Sequence, residues 1–126
     1  MFRIKTLIAS RKGANIRPNI PEQRFLKIIE KHNLPYRYTG DGEVWIGSKN
    51  PDFIEATNGK KEVIEIFGEV FHSPLFTFKE SIPYHQTYHG TIDHYKKYGF
   101  KCHIFWDRDV MGEHAEDIVL NKLGVI

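Results

Sequence analysis

Two acidic residues on either side of an Asn-Gly dipeptide are the first candidates for chemistry in this chain. Asp52 follows Pro51, and Glu65 stands beyond Asn58-Gly59 in a run of mostly apolar residues. Asn-Gly favours a tight hairpin, and a two-residue loop here makes Asp52 and Glu65 direct cross-strand neighbours. Their β-carbons would then lie about 5 Å apart, where like charges repel each other. A divalent cation would offset that repulsion, so the spacing predicts a metal site held by both carboxylates.

The same hairpin register pairs a second set of acids on the opposite face, Glu55 with Glu62. One of the two pairs is therefore incidental, and Lys60 and Lys61 stand close enough to neutralise the tip of the hairpin. A solvated surface remains the alternative to a metal site. Pro51 cannot donate a hydrogen bond to a sheet, which predicts that the strand begins there and that the adjacent acid lies at a sheet end that ligands can reach.

The length and the cysteine content set the broad class of the protein. With 126 residues, the chain is expected to form one domain, 1–126, around a single core. Its one cysteine, Cys102, excludes an internal disulfide framework and a multi-cysteine zinc site, and its apolar surroundings predict a buried thiol in a reducing compartment. No stretch is long and apolar enough for a membrane span, and residues 1–10 have too short an apolar core for a secretory signal. The sequence therefore predicts a soluble intracellular protein.

Basic residues are concentrated in two places, although the formal net charge is only +2. Lys96, Lys97 and Lys101 form one cluster, for which phosphate contact and a solvated helix face are both open interpretations. The modest net charge permits a polyanionic partner without requiring one. The other cluster is an N-terminal stretch almost free of acids, which contains Arg3, Lys5, Arg11, Lys12 and Arg17.

The predicted elements follow the order helix, three strands, helix, strand, helix. Pro21 and Glu22 begin an amphipathic helix that ends near Leu34. A strand, a helical crossover and a further strand predict right-handed parallel pairing of 62–67 with 102–107. The remaining predictions are strands at 36–38 and 44–46, helices at 91–98 and 113–123, and an irregular aromatic segment at 73–89. Together these elements predict an α/β (α+β) fold with one mixed β-sheet flanked by helices.

This αβββαβα order, with Pro51-Asp52 at the start of the second core strand and Glu65 on the third, resembles the PD-(D/E)XK nuclease superfamily. Segments 50–53, 63–72 and 98–107 look more narrowly like its very-short-patch-repair (Vsr-like) branch, which includes catalytic domains of some phage and intron homing endonucleases. The likeness covers about residues 19–110. It implies a restriction-endonuclease-like core, hydrolysis of double-stranded DNA, and Mg²⁺ as cofactor, with Mn²⁺ able to substitute. Phe67 departs from the pattern, because the superfamily commonly has a lysine at that place.

The resemblance also implies roles for individual residues. It places Glu22 in the N-terminal helical acid position, Asp52 in the metal-binding aspartate position and Glu65 beside it as a second metal ligand. His72 falls in the position of the catalytic histidine, and a reference pKa near 6.5 suits it to accept a proton from the attacking water. The last acid position falls on Asp93, with Thr91 and Asp109 as alternatives. The first acid of this set is equally what a helix N-terminus favours, and the alternative for the histidine is a loop residue without a role.

Alternative functions and ligands remain open beside this interpretation. The missing zinc cysteines and the small, weakly charged chain favour a homing enzyme, phage- or intron-encoded, over a repair nickase, and suggest a fragment of a longer protein with a separate DNA-recognition domain. A non-catalytic nucleic-acid-binding module is the rival from another class. Zinc bound by His85, His89 and His94 is a weaker hypothesis. Four aromatic residues either stack on bases or cap the core: Phe76, Phe78, Tyr84 and Tyr88.

Overall fold

A four-stranded mixed sheet is the centre of the part of the protein that the computed structural model describes, residues 17–68 and 83–125. The strands lie in the order β1-β2-β3-β4, antiparallel up to β3 and parallel between β3 and β4. None of the helices in these ranges is long and apolar enough to cross a membrane. The elements are α1 (Ile20–His32), β1 (Tyr36–Tyr38), β2 (Phe53–Glu55), β3 (Glu62–Phe67), α2 (Tyr88–Lys97), β4 (Lys101–Trp106), α3 (Asp107–Met111) and α4 (Ala115–Lys122).

Helix α1 begins with a capping box, which explains its start better than Pro21 alone. The Asn19 side chain accepts a hydrogen bond from the Glu22 N–H at 2.9 Å, and the Glu22 carboxylate accepts one from the Asn19 N–H at 3.0 Å. These reciprocal bonds satisfy two of the backbone donors that a helix leaves unpaired at its N-terminus. The helix ends at Asn33, whose left-handed φ of 51° closes the last turn.

The predicted hairpin register is confirmed. Phe53 pairs with Ile64 and Ile54 with Val63, which places Asp52 opposite Glu65 at the end of the ladder. The predicted two-residue loop is wrong, because the connection spans 56–61 and Gly59 has a positive φ while Asn58 does not.

A buried carboxylate closes this longer connection instead of the expected tight turn. The Glu55 carboxylate accepts hydrogen bonds from the N–H groups of Asn58 at 2.6 Å and Lys60 at 2.9 Å. Because Glu55 is almost fully buried, its two bonds hold the loop to the body of the protein and keep the register of the two strands in place.

The predicted strand at 44–46 is also wrong. Val44 and Ile46 are buried, but they lie in the connection between β1 and β2 and form one isolated bridge, between Ile46 and Lys49. The Asn50 amide donates to the carbonyls of Thr39 and Val44, both at 2.7 Å. Side-chain bonds therefore satisfy backbone groups that a neighbouring strand would otherwise satisfy, so an apolar pattern typical of a strand occurs in a loop.

The sheet separates two apolar clusters. On one face α1, α3 and α4 contribute to a cluster in which the Phe25 ring centroid lies 5.1 Å from Phe53 and 5.0 Å from Phe105. The first cluster consists of Phe25, Ile29, Phe53, Ile64, Phe105, Val110 and Val119. The second, on the α2 face, consists of Val44, Ile46, Ile54, Val63, Tyr95 and Phe100, with the partly buried Cys102 against it.

The C-terminal third differs from prediction mainly at element boundaries. Helix α2 starts before the predicted Thr91, because Thr87 caps its N-terminus by accepting a hydrogen bond from the Gly90 N–H at 3.1 Å. The chain after β4 forms two helices rather than the single predicted helix 113–123. The predicted N-terminal arm and much of the aromatic segment, including His72, Phe76 and Phe78, lie outside the described residues.

Candidate active site

An open cavity of about 200 Å³ lies at the end of the sheet where β2 begins and β3 finishes. It is polar and contains three acids and a lysine. Because β2 and β3 run antiparallel, the residue just before β2 and the residues late in β3 meet at this end. The lining residues are Glu22, Lys49, Asp52, Glu65, Ile66, Phe67, Gln86 and Thr91.

Asp52 and Glu65 are fixed at the centre of this cavity by hydrogen bonds from two different elements. The N–H of Ile66 on β3 donates to the Asp52 carboxylate at 2.8 Å. The Tyr95 hydroxyl, on the fully buried face of α2, donates to the Glu65 carboxylate at 2.5 Å. Asp52 and Glu65 are themselves close enough to share a hydrogen bond when one of them is protonated. Sheet and helix thus hold two carboxylates together that would repel each other as free ions.

Burial dominates the electrostatics of the two acids. It raises the pKa of Asp52 well above its usual value, and the charges of Glu65 and Glu22 raise it further. Burial also raises the pKa of Glu65, to about 7, although the Tyr95 hydrogen bond and the Lys49 charge lower it. The protein alone therefore does not stabilise full ionisation of the cluster at neutral pH.

Glu22 takes part in both of the roles considered for it. Its carboxylate closes the capping box of α1, and it also reaches the cavity beside Asp52. The Tyr38 hydroxyl lies within hydrogen-bonding distance of the same carboxylate, and burial followed by the charge of Glu22 raises the pKa of Tyr38. The helix N-terminus and the sheet end therefore share one acid, so a helix-capping role does not exclude a role in the cavity.

Lys49 is a cavity residue that reasoning from the sequence did not identify. It lies in the connection between β1 and β2, and its side chain is half-buried. Burial lowers the pKa of Lys49, whereas the charge of Glu65 raises it. Its position in the chain, shortly before Pro51-Asp52, was the available signal. That signal is weak, because Lys49 lies between the predicted strand 44–46 and the strand predicted to begin at Pro51, and reaches the cavity only through contacts with distant residues.

The candidates for the last acid position lie in different environments. Asp93 is exposed on α2 and accepts a hydrogen bond from the Tyr84 hydroxyl at 2.8 Å, and the described lining of the cavity does not include it. Thr91, one of the alternatives, is fully buried and does line the cavity. Asp109 lies on α3 and is likewise absent from the described lining. His72 lies outside the described residues.

Position 67, where the resemblance stated from the sequence implies a lysine, is occupied by a packed aromatic ring. Phe67 is buried, and its ring meets that of Trp106 edge to face at a centroid distance of 5.8 Å. Tyr88 stacks on the same Trp106 with an interplanar angle of 11°, whereas Tyr84 is 63% exposed. The ring of Phe67 cannot supply a positive charge, so any cation at this position of the site comes from elsewhere.

The histidine-based zinc hypothesis finds no support in the described ranges. His94 is buried, and its Nε2 lies 2.8 Å from the carbonyl of Ile46, which gives it a structural partner. Residues 17–68 and 83–125 contain no group of three or more His, Cys, Asp or Glu side chains arranged to hold a metal ion. The cavity therefore offers two central carboxylates rather than a closed protein cage.

No family model matches the sequence, and no curated protein matches it. Among solved structures, the fold is similar to that of the catalytic domain of the homing endonuclease I-Bth0305I. The match covers 85% of this chain and 90% of that domain, with 18% sequence identity and a TM-score of 0.51. The predicted α+β fold, a mixed four-stranded sheet with flanking helices, is confirmed.

Proposed function

We propose that this chain is the catalytic domain of a metal-dependent DNA endonuclease, most similar to those of homing endonucleases. One observation carries the proposal: Asp52 and Glu65 are held side by side in an open cavity, in a fold shared with a homing endonuclease catalytic domain. Burying like charges together costs free energy, and the protein stabilises the arrangement with dedicated hydrogen bonds. A site that binds a cation explains why such an arrangement is kept.

The donor set of the cavity fits Mg²⁺. This ion takes one or two protein carboxylates and retains several waters, so it does not need the closed group of ligands that the described residues lack. Asp52 and Glu65 would hold the ion, and Mn²⁺ is expected to substitute for it. When bound, such an ion neutralises the phosphate, lowers the pKa of water and stabilises the leaving oxygen.

The proposed site residues have separate tasks in the proposed reaction. Tyr95 fixes the orientation of Glu65 by donating to its carboxylate. Glu22 orients groups beside Asp52. His72 is proposed to accept the proton of the attacking water. The oxygen of that water forms a bond to phosphorus, the bond from phosphorus to the 3′ oxygen breaks, and the 3′ oxygen takes a proton from solvent. Asp93 is proposed to act indirectly by positioning other groups.

The proposed substrate is double-stranded DNA, recognised with the help of a separate DNA-reading domain in the parent protein. The modest net charge of +2 supports this division, because phosphate contacts supply most non-specific affinity and this chain has little excess positive charge for them. The same proposal includes intracellular action in a host cell. The alternative within it is a nicking enzyme of the repair type.

A non-catalytic nucleic-acid-binding module is the second candidate, and Phe67 is the observation that favours it. A packed aromatic ring at the place of the superfamily lysine is what loss of catalysis would leave behind. The two candidates differ in what they predict for divalent metal. A binding module gains no thermal stability from Mg²⁺, whereas a site made of Asp52 and Glu65 is stabilised by it.

The decisive experiment is cleavage of supercoiled plasmid and long duplex DNA with Mg²⁺ or Mn²⁺. Wild type is compared with Asp52→Ala and His72→Ala, and with Glu43→Gln as control, since Glu43 pairs with Arg37 away from the cavity. The proposal predicts metal-dependent nicking that both site variants abolish and the control retains. A folded wild type that binds DNA but never cuts it, with a melting temperature that ignores Mg²⁺, would establish the binding module instead.

A further inference from the structure

Lys49 is the one positively charged side chain among the described residues that line the cavity. We propose that Lys49 is a catalytic residue whose ammonium group binds the phosphate being cleaved, in the role that Phe67 cannot fill. The inference rests on the proposed nuclease function. It also reaches further, because it assigns the substrate-binding cation to a loop residue outside the acids and histidine considered so far.

The backbone that carries Lys49 is rigid. Ile46 and Lys49 exchange two backbone hydrogen bonds, at 2.8 and 3.2 Å, across a tight turn. The buried His94 of α2 holds this turn through the Ile46 carbonyl. Gly47 within the turn has a φ of 63°, and a β-carbon there would lie 2.5 Å from the Tyr98 hydroxyl. Only glycine fits this position without displacing the tyrosine, so the turn is built for one geometry.

The segment that follows Lys49 is fixed equally well. The Asn50 side chain donates to the carbonyls of Thr39 and Val44, and the Thr39 hydroxyl donates to the carbonyl of Pro51 at 2.9 Å. The lysine is therefore held on both sides along the chain. Because the backbone is already fixed, binding a ligand through the side chain adds no cost for ordering the backbone.

The ammonium group itself is not tied to the acids. In the two described ranges no carboxylate lies within ion-pair distance of the Lys49 Nζ, although Glu65 is near enough for its charge to act on it. A lysine whose task was to neutralise the acid pair would bond directly to it. A fixed backbone whose charged end faces an open cavity and makes no ion pair within residues 17–68 and 83–125 matches a group that binds an anionic ligand.

The charge of the site leads to the same assignment. Three carboxyl groups and one lysine line the described cavity, so if all four groups were charged the lining would carry two net negative charges, which a single divalent ion would balance. A phosphodiester gains negative charge when water attacks it, and that charge needs a positive group close by. The Lys49 ammonium group can donate hydrogen bonds to a non-bridging phosphate oxygen. One metal ion per chain is then sufficient.

The test compares Lys49→Met with Lys122→Met. Methionine keeps the apolar stem of lysine and removes its charge. Lys122 is the matched control, because its Nζ donates to the carbonyl of Ile104 and lies 5.1 Å above the Phe105 ring, which is a structural role. We expect Lys49→Met to lower kcat about a hundredfold and to raise KM by a smaller factor, because one phosphate contact is lost, and Lys49→Arg to recover part of the kcat. Lys122→Met should lower the melting temperature and leave kcat unchanged.

A binding measurement gives a second readout that does not depend on cleavage. In an Asp52→Asn background, the slope of log Kd for duplex DNA against log salt should fall by about one for Lys49→Met, because one phosphate contact is lost. Titration with Mn²⁺, followed by calorimetry, should give one ion per chain for wild type and for Lys49→Met alike.

Each result has a distinct meaning. Equal cleavage by wild type and Lys49→Met overturns the role of Lys49 and leaves the nuclease intact. Loss of Mn²⁺ binding in Lys49→Met also overturns it, because Lys49 is then needed for metal binding. Two Mn²⁺ ions per chain in wild type overturn it as well, because the second ion then supplies the positive charge assigned to Lys49. A wild type that binds DNA without cleaving it and gains no thermal stability from Mg²⁺ refutes the proposed function; the salt slope then decides whether Lys49 still contacts phosphate.

Discussion

One hairpin carries two pairs of facing acids, and the protein treats them in opposite ways. Glu55 and Glu62 lie on the α1 face near the loop, and each is matched by donors. Glu55 accepts two backbone N–H groups. Glu62 accepts the Tyr36 hydroxyl at 2.8 Å and bonds with the His103 ring at 3.0 Å. This pair is structural, and its partners separate the two charges.

Asp52 and Glu65 lie on the α2 face, at an open cavity. Each accepts one described hydrogen bond, from the Ile66 N–H and the Tyr95 hydroxyl respectively, and their charges act on each other. Burial raises the pKa of Glu62 as well, but hydrogen bonds from His103 and Tyr36 outweigh it, so the net pKa of Glu62 is lowered. The pKa values of Asp52 and Glu65 are raised. Residue type and spacing are nearly the same in both pairs. The difference teaches that the count of available donors, rather than proximity alone, separates a structural acid pair from a candidate site.

The comparison predicts that removing charge from the cavity pair improves stability while it destroys activity. Asp52→Asn retains an oxygen for the Ile66 N–H and relieves the repulsion with Glu65. We expect cleavage to fall about a thousandfold or more. The melting temperature of the metal-free protein should rise by roughly 5 °C. Plasmid cleavage and thermal melts with and without Mg²⁺ measure both effects. A lower melting temperature than that of wild type in EDTA would contradict the claim that repulsion between Asp52 and Glu65 destabilises the metal-free protein.

The pH dependence of stability provides a second contrast. The pKa of Glu65 is raised from 4.5 to about 7 on folding, so the folded state binds the extra proton between these values. Stability is therefore highest below pH 4.5 with respect to this group and falls as the pH rises to 7, by up to about 3 kcal/mol. Urea titrations of metal-free protein should show this slope. Glu65→Gln or saturating Mg²⁺ should flatten it, and an unchanged slope in Glu65→Gln would exclude Glu65 as its source.

The structural pair should respond in the reverse sense. Glu62→Ala leaves the Tyr36 hydroxyl and the His103 ring without their acceptor, at a cost of about 2 kcal/mol, while cleavage per folded molecule stays at the wild-type level. Because the pKa of Glu62 is lowered, its contribution is present above pH 4.5 and is lost as the pH falls. Glu43→Ala, which breaks an exposed ion pair with Arg37, is the control and should cost less than about 0.5 kcal/mol. Denaturant melts at pH 7 decide between these outcomes.

Glu22 caps α1 and also lines the cavity, so one conservative substitution can separate these two roles. Glutamine at this position still closes the capping box, and Glu22→Gln should change stability by less than about 0.5 kcal/mol. Its charge beside Asp52 is lost, and we expect cleavage to fall about tenfold. Helicity by circular dichroism and initial rates of nicking provide the two readouts. Full activity in Glu22→Gln would assign this residue to the helix cap alone.

The sheet and its register could be predicted because they depend on local patterns. A slip of one residue would turn every side chain of β2 and β3 to the wrong face, so alternation and the position of Asn58-Gly59 together specify the pairing. The loops could not be predicted in the same way. Asn50 bonds to Thr39, and Glu55 bonds to the hairpin loop. Each of these side chains has many possible polar partners in the sequence, and local patterns do not select among them.

The centre of the candidate site was predicted through the hairpin register, whereas its edge was not. Asp52 and Glu65 are brought together by strand pairing, which the sequence pattern encodes. Lys49 reaches the cavity through a turn held by His94, and Thr91 through the packing of α2, so both depend on contacts between distant segments. Helical spacing placed Asp93 and Thr91 on the same helix but could not show which of them faces the sheet.

A sheet that separates two apolar clusters allows one side of the protein to be redesigned while the other is left alone. The cluster under α1 includes Phe25, Phe53 and Phe105, whereas Tyr95, whose hydroxyl donates to Glu65 in the cavity, belongs to the cluster on the α2 face. Substitutions that share no contacts usually add in their effects on stability. Directed evolution could therefore accumulate stabilising substitutions beneath α1, and the added stability would offset destabilising substitutions around the cavity.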